Sequence, residues 1–148
     1  MNPPFFSLAR MAGLAYLMAA TASLAGCASD PDPLDVAFGL APVKQLSAAQ
    51  QERMLQYPLG SAENPVRAHM PEGERAYLER LRCADGSRPA FERHGSAGQL
   101  SPYATVMDIY SVTCGIQRAT VFIDMYHPNY VEVAAVPGFT IDPSDSSP

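Results

Sequence analysis

The chain has 148 residues, enough for one domain with a modest core and too few for two. Apolar residues make up 47% of it, which excludes a wholly disordered chain, while 14 prolines call for short elements and many turns. All 15 acidic residues follow Cys27 and only Arg10 precedes it among the basic ones, so the acidic balance of the folded part excludes nucleic acid as an expected partner.

In chain order, Met1 to Arg10 is a short start with one positive side chain, and Met11 to Ala25 then runs without a charge through Leu14, Tyr16, Leu17, Met18 and Leu24. This is the arrangement of an export signal, and the run is shorter than the roughly 20 apolar residues that cross a bilayer core. The run ends in small residues and the tetrapeptide Leu24-Ala25-Gly26-Cys27. That tetrapeptide resembles the lipobox of bacterial lipoproteins. The resemblance implies cleavage after residue 26, a diacylglyceryl group on the Cys27 thiol and, in a diderm bacterium, a further acyl chain on the new amino terminus. Each buried methylene contributes about 0.8 kcal/mol, so two or three acyl chains hold a protein on a membrane essentially permanently. Such lipoproteins tend to stay in the inner membrane when Asp follows the cysteine. Here Ala28 and Ser29 follow it, which favours the outer membrane, facing the periplasm. An ordinary signal peptide cut near Ala28 is the alternative.

Residues 27–45 read as the lipidated cysteine and a tether, because Ser29-Asp30-Pro31-Asp32-Pro33-Leu34-Asp35 is acidic and broken by proline. A flexible tether of that length reaches roughly 20 to 25 Å. Ser47-Ala48-Ala49-Gln50 fits a capping box, predicting a helix from Ala48 to about Gln56 that stops before Pro58. The segment from Gly60 to Gly73 carries Asn64-Pro65 and Met70-Pro71 and reads as an ordered loop. Glu74 to Cys83 fits either period: Tyr77, Glu79, Leu81 and Cys83 alternate, while Tyr77, Leu78 and Leu81 follow a helix. The turn signal Ala84-Asp85-Gly86-Ser87 favours a strand ending at Cys83, with Pro89 to His94 returning as its partner.

After a loop from Gly95 to Pro102, Thr105 to Cys114 and Arg118 to His127 read as a β-hairpin around Gly115-Ile116-Gln117. Val131 to Val136 reads as a last strand ended by Pro137-Gly138, and residues 142–148 as a polar, disordered tail. The expected architecture is a single α+β domain over residues 46–141, a small antiparallel β-sheet with one short N-terminal helix, stapled by one disulfide. Once Cys27 carries lipid, Cys83 and Cys114 remain, and export to an oxidising compartment predicts that they pair.

The most suggestive polar residues are Asp124 and His127, near Tyr126, Tyr130 and Glu132, with Asp108 expected on the neighbouring strand. Carboxylates and an imidazole suit general acid and base work or a metal. Alternation, however, puts Asp124 and His127 on opposite faces, and no second histidine stands at metal spacing, so neither a metal nor another cofactor is expected. The competing structural reading has Asp124 paired with an arginine and His127 leading into a turn at Pro128-Asn129. No nucleophile elbow, phosphate loop or dinucleotide motif is present. The expected role is therefore a membrane-anchored envelope module that binds another envelope protein or a cell-wall component. A small hydrolase or metal-dependent enzyme using Asp108, Asp124 and His127 is the alternative from another class. A carrier with an apolar cavity lined by Tyr110, Phe122 and Tyr126 is the third.

Overall fold

The computed structural model describes residue 35 and residues 43–143. The expected signal peptide, Cys27, most of the tether and the tail beyond residue 143 lie outside the described residues. Helix α1 (Ala48–Met54) begins as its capping box predicts: the Ser47 side chain accepts from the Gln50 amide, and the Gln50 side chain accepts from the Ser47 amide at 2.9 Å.

The main sheet has four strands in the order β1-β5-β4-β3, with β1 (Val66–Arg67), β3 (Ala90–Gly98), β4 (Met107–Cys114) and β5 (Gln117–Asp124). The predicted hairpin is β4 and β5, in unbroken antiparallel register from Met107↔Asp124 to Cys114↔Gln117. Its turn uses Gly115 at φ 58°, a positive angle that suits a tight hairpin turn and that glycine adopts without strain. The sheet is mixed rather than wholly antiparallel, because β1 runs parallel to β5. The segment Pro89 to His94 does not return onto residues 74–83. It belongs to β3, which extends through the expected loop to Gly98 and pairs with β4, with register shifts after Arg93 and Ser96.

The expected strand from Glu74 to Cys83 is a helix, α2 (Met70–Arg80), followed by the short strand β2 (Leu81–Arg82). Pro71 sits in the first helical turn, where its fixed φ fits and its missing N–H costs nothing. The helical period prevails because Glu74, Tyr77, Leu78 and Leu81 form one stripe, and all four are almost wholly buried. The last predicted strand is absent as well. Residues 131–136 lie across α2, where the Tyr77 hydroxyl donates to Ala134 O at 3.1 Å and accepts from Val136 N at 3.1 Å. Arg80 fixes the same segment by donating to Glu132 O at 2.6 Å. The closing strand is instead β6 (Thr140–Ile141), antiparallel to β2.

One core joins α2 to a single face of the main sheet: Val66, Tyr77, Leu78, Leu81, Tyr110, Val112, Val121, Ile123, Val136 and Phe139. Tyr110, which the sequence places on the wall of a carrier cavity, packs in this core and is 4% exposed. The Cys83–Cys114 disulfide is present, with Cα atoms 5.8 Å apart, and ties the end of β2 to the end of β4. The two sheets are thereby stapled at one end.

Candidate functional site

Cross-strand neighbours share a face of a sheet, so Asp108, opposite Ile123, and Asp124, opposite Met107, stand on opposite faces. The structure therefore divides the three polar residues singled out in the sequence. Asp108 lies on the α2 side and takes a bidentate pair from Arg93, with Nε at 2.5 Å and an Nη at 2.7 Å. Asp124 lies on the other side, under the loop from Ser101 to Thr105, and is fully buried.

Strand β5 stops at Asp124, and alternation stops with it. The chain folds back so that His127 N donates to Ala68 O at 3.1 Å, and the imidazole Nε2 comes to 3.3 Å from Asp124 Oδ2. The expectation that these two side chains point apart is thus corrected. The approach lacks hydrogen-bond geometry, so Nε2 is a buried nitrogen with no hydrogen-bond partner among the described residues. His127 does lead into the predicted turn, closed by Tyr130 N donating to His127 O at 3.2 Å.

Among the described residues Asp124 has no arginine partner. Its carboxylate accepts from Ser101 Oγ at 2.5 Å, from Thr105 Oγ1 and from Tyr126 N at 3.1 Å. Burial alone would raise its pKa, but His127 and the Ser101 and Thr105 hydroxyls outweigh burial and hold the carboxyl below the usual range. Asp124 is the ionised hub of this corner.

Around the hub stand aromatic rings and a guanidinium. The Tyr103 and His127 rings meet edge to face at 4.5 Å. Arg67, the β1 neighbour of Asp124 in register, lies 3.8 Å over the Tyr130 ring and donates to its hydroxyl. That hydroxyl donates in turn to Glu132 Oε2 at 3.2 Å. Burial raises the pKa of Tyr103, and burial with the Glu132 charge raises that of Tyr130, so both phenols stay protonated.

Among the described residues, three that are not glycine have positive φ: Met70 at 59°, Ala104 at 60° and Asn129 at 60°. Each belongs to a segment that builds this corner. Met70 N donates to Met125 O, Ala104 sits between Tyr103 and Thr105, and Asn129 closes the turn after His127. Such strain costs of order 1 kcal/mol or more per residue and collects at sites that the surrounding structure over-determines. Neither Arg67 nor Thr105 carries a sequence signal for this site, because their roles arise only when β1 and the loop reach Asp124.

No family model, curated protein or solved structure matches the chain. What the corner can do therefore follows from its geometry alone. Among the described residues no group of three or more His, Cys, Asp and Glu is arranged to hold a metal ion, and no helix is long and apolar enough to cross a membrane. A serine nucleophile needs a base on its hydroxyl, with the acid behind the base. Here the order is Ser101, Asp124, His127, with the carboxylate in the middle, so the Ser101 proton goes to Asp124 and not to the imidazole.

Proposed function

We propose that the chain is a lipid-anchored protein of the bacterial cell envelope, whose folded domain is a non-enzymatic binding module facing the periplasm. One observation carries the anchor: the tetrapeptide Leu24-Ala25-Gly26-Cys27 directly after an uncharged apolar run. Ala28 and Ser29 at the following positions support retention in the outer membrane. The Cys83–Cys114 bond is consistent with an oxidising compartment. The partner is another envelope protein or a cell-wall component.

The hydrolase alternative needs Asp108, Asp124 and His127 in one cleft, and Asp108 faces away from the other two. The carboxylate hub has its acceptor positions taken up by Ser101, Thr105 and the Tyr126 amide, which suits a structural role. A carrier reading is favoured by one feature, a small cavity beside His127.

The test is mild crosslinking in intact cells, followed by recovery of the protein from the membrane fraction. Recovery in one defined adduct, lost when Arg67 or Tyr103 is replaced, supports the module. A monomer with no adduct in a membrane fraction that does contain the protein contradicts it.

A further inference from the structure

Helix α1 buries none of its own residues against the domain. It is attached by the buried Leu46 just before it and by the Tyr103 hydroxyl, which stands 3.6 Å from Met54 Sδ. Between α1 and the Asp124 corner lies a cavity of about 240 Å³. Arg67, Tyr103 and His127 form its inner wall, and Lys44, Gln45 and Gln51 its outer wall.

Among the described residues that line this cavity none carries a carboxylate. Asp124 and Glu132 stand behind the wall, and their oxygens already accept from neighbours. Glu132 takes Tyr130 Oη at 3.2 Å, Val133 N at 3.1 Å and Ala134 N at 3.2 Å. A group entering the cavity meets donors first. One Arg67 Nη already donates to the Tyr130 hydroxyl, the remaining N–H groups of the guanidinium are what it offers an oxyanion, and the stacked Tyr130 ring fixes its plane.

Val43, Leu46, Met54 and Leu55 complete the described lining with apolar surface, which an inorganic anion would leave unused. A cavity of about 150 Å³ accepts benzene, so this one takes on the order of ten non-hydrogen atoms. We propose that the cavity is the binding site of a small organic carboxylate, its head held by Arg67 with Tyr103 and its body against Val43, Leu46, Met54 and Leu55. Binding bridges α1 to the domain and so steadies the segment that joins the tether. The proposal rests on the binding-module reading and not on the lipid anchor.

The test is calorimetric titration of the full chain in detergent micelles with butyrate, benzoate and inorganic phosphate. Amide hydrogen exchange of residues 48–54 is followed in parallel. The expected result is binding of at least one acid with a Kd of about 1 mM or tighter, weaker binding of phosphate and slower exchange in α1. Arg67→Gln should weaken binding at least about tenfold and Arg67→Lys less, because lysine keeps the charge without the fork. Should Arg67→Gln fail to fold, Gln51→Glu adds a negative charge on the exposed helix and must weaken binding as well. Phosphate binding as tightly as both acids would overturn the carboxylate assignment. No binding up to about 10 mM, or binding indifferent to both substitutions, would overturn the site. If crosslinked partners persist while no acid binds, the cavity assignment alone falls; if both are missing, the module reading falls too.

Discussion

The Tyr110 hydroxyl donates to Glu74 Oε2 across 2.9 Å, inside the core between α2 and the main sheet. Glu74 is fully buried, and its second oxygen has no hydrogen-bond partner. Burial is the main reason that its pKa is pushed up to about 7; the nearby Asp108 charge adds to the rise, while Tyr110 and Arg93 oppose it. A protonated Glu74 is thus a neutral member of the helix stripe.

Because the folded-state pKa lies above the ordinary carboxyl value of 4.5, the folded protein holds this proton more tightly than the unfolded chain. The stabilisation is complete below pH 4.5 and is lost as pH rises through about 7. At about 1.4 kcal/mol per unit, the contribution is on the order of 3 kcal/mol. Urea denaturation of the wild type should show lower stability at pH 8 than at pH 5 from this group, and Glu74→Gln should remove most of the difference. An unchanged slope in the variant would contradict the assignment.

Asp124 is the opposite case. Its pKa is lowered, so its contribution is present above the ordinary aspartate value of 3.8 and fades as pH falls below that. Asp124→Ala leaves the Ser101 and Thr105 hydroxyls and the Tyr126 amide without their acceptor, and should cost about 3 to 5 kcal/mol near neutral pH. Asp124→Asn keeps an oxygen for these donors and should cost less. Chemical denaturation at pH 7 compares the two.

Reducing the Cys83–Cys114 bond, or replacing both cysteines by serine, frees a loop with a sequence separation of 31 residues. In the chain-entropy model the loss is about 3 to 4 kcal/mol. Denaturation with and without a reductant measures it, and the double serine variant should be insensitive to reductant.

Gly60 has φ +86°, and a Cβ there would lie 2.6 Å from Val136 Cγ1. Its carbonyl also accepts from Phe122 N at 2.9 Å, so the backbone cannot easily shift away. Gly60→Ala combines a left-handed backbone cost of about 1 to 2 kcal/mol with overpacking of about 1 to 3 kcal/mol. Gly98→Ala, where a Cβ meets nothing within 4 Å, should pay only the backbone part. A thermal melt of the two variants ranks them.

The comparison of Glu74 with Ser47 shows which parts of the fold the sequence could reveal. Ser47 and Gln50 act within one turn, and the hairpin around Gly115 is equally local, so both were legible. The cysteine pair was legible from the count together with the compartment that the export signal leads one to expect. Helix α2 was hidden because its stripe includes a glutamate, which reads as polar until burial raises its pKa. Residues 131–136 carry enough Val and Ala to suggest a strand, but the hydroxyl of Tyr77 and the guanidinium of Arg80 claim their backbone groups. For the candidate site, Asp124 and His127 stood out by residue type. Their contact did not, since alternation holds only while the strand lasts and β5 ends at Asp124. Arg67 reaches the site through a parallel pairing that no local pattern announces.

The proposed anchor on Cys27 is tested most directly by the intact mass and membrane partition of the natively expressed chain beside a Cys27→Ala variant. The account predicts a wild type cut after Gly26, heavier than the bare polypeptide by its acyl groups and recovered with the membrane, and a variant that carries no lipid. A wild type without lipid, soluble like the variant and cut near Ala28, would contradict it.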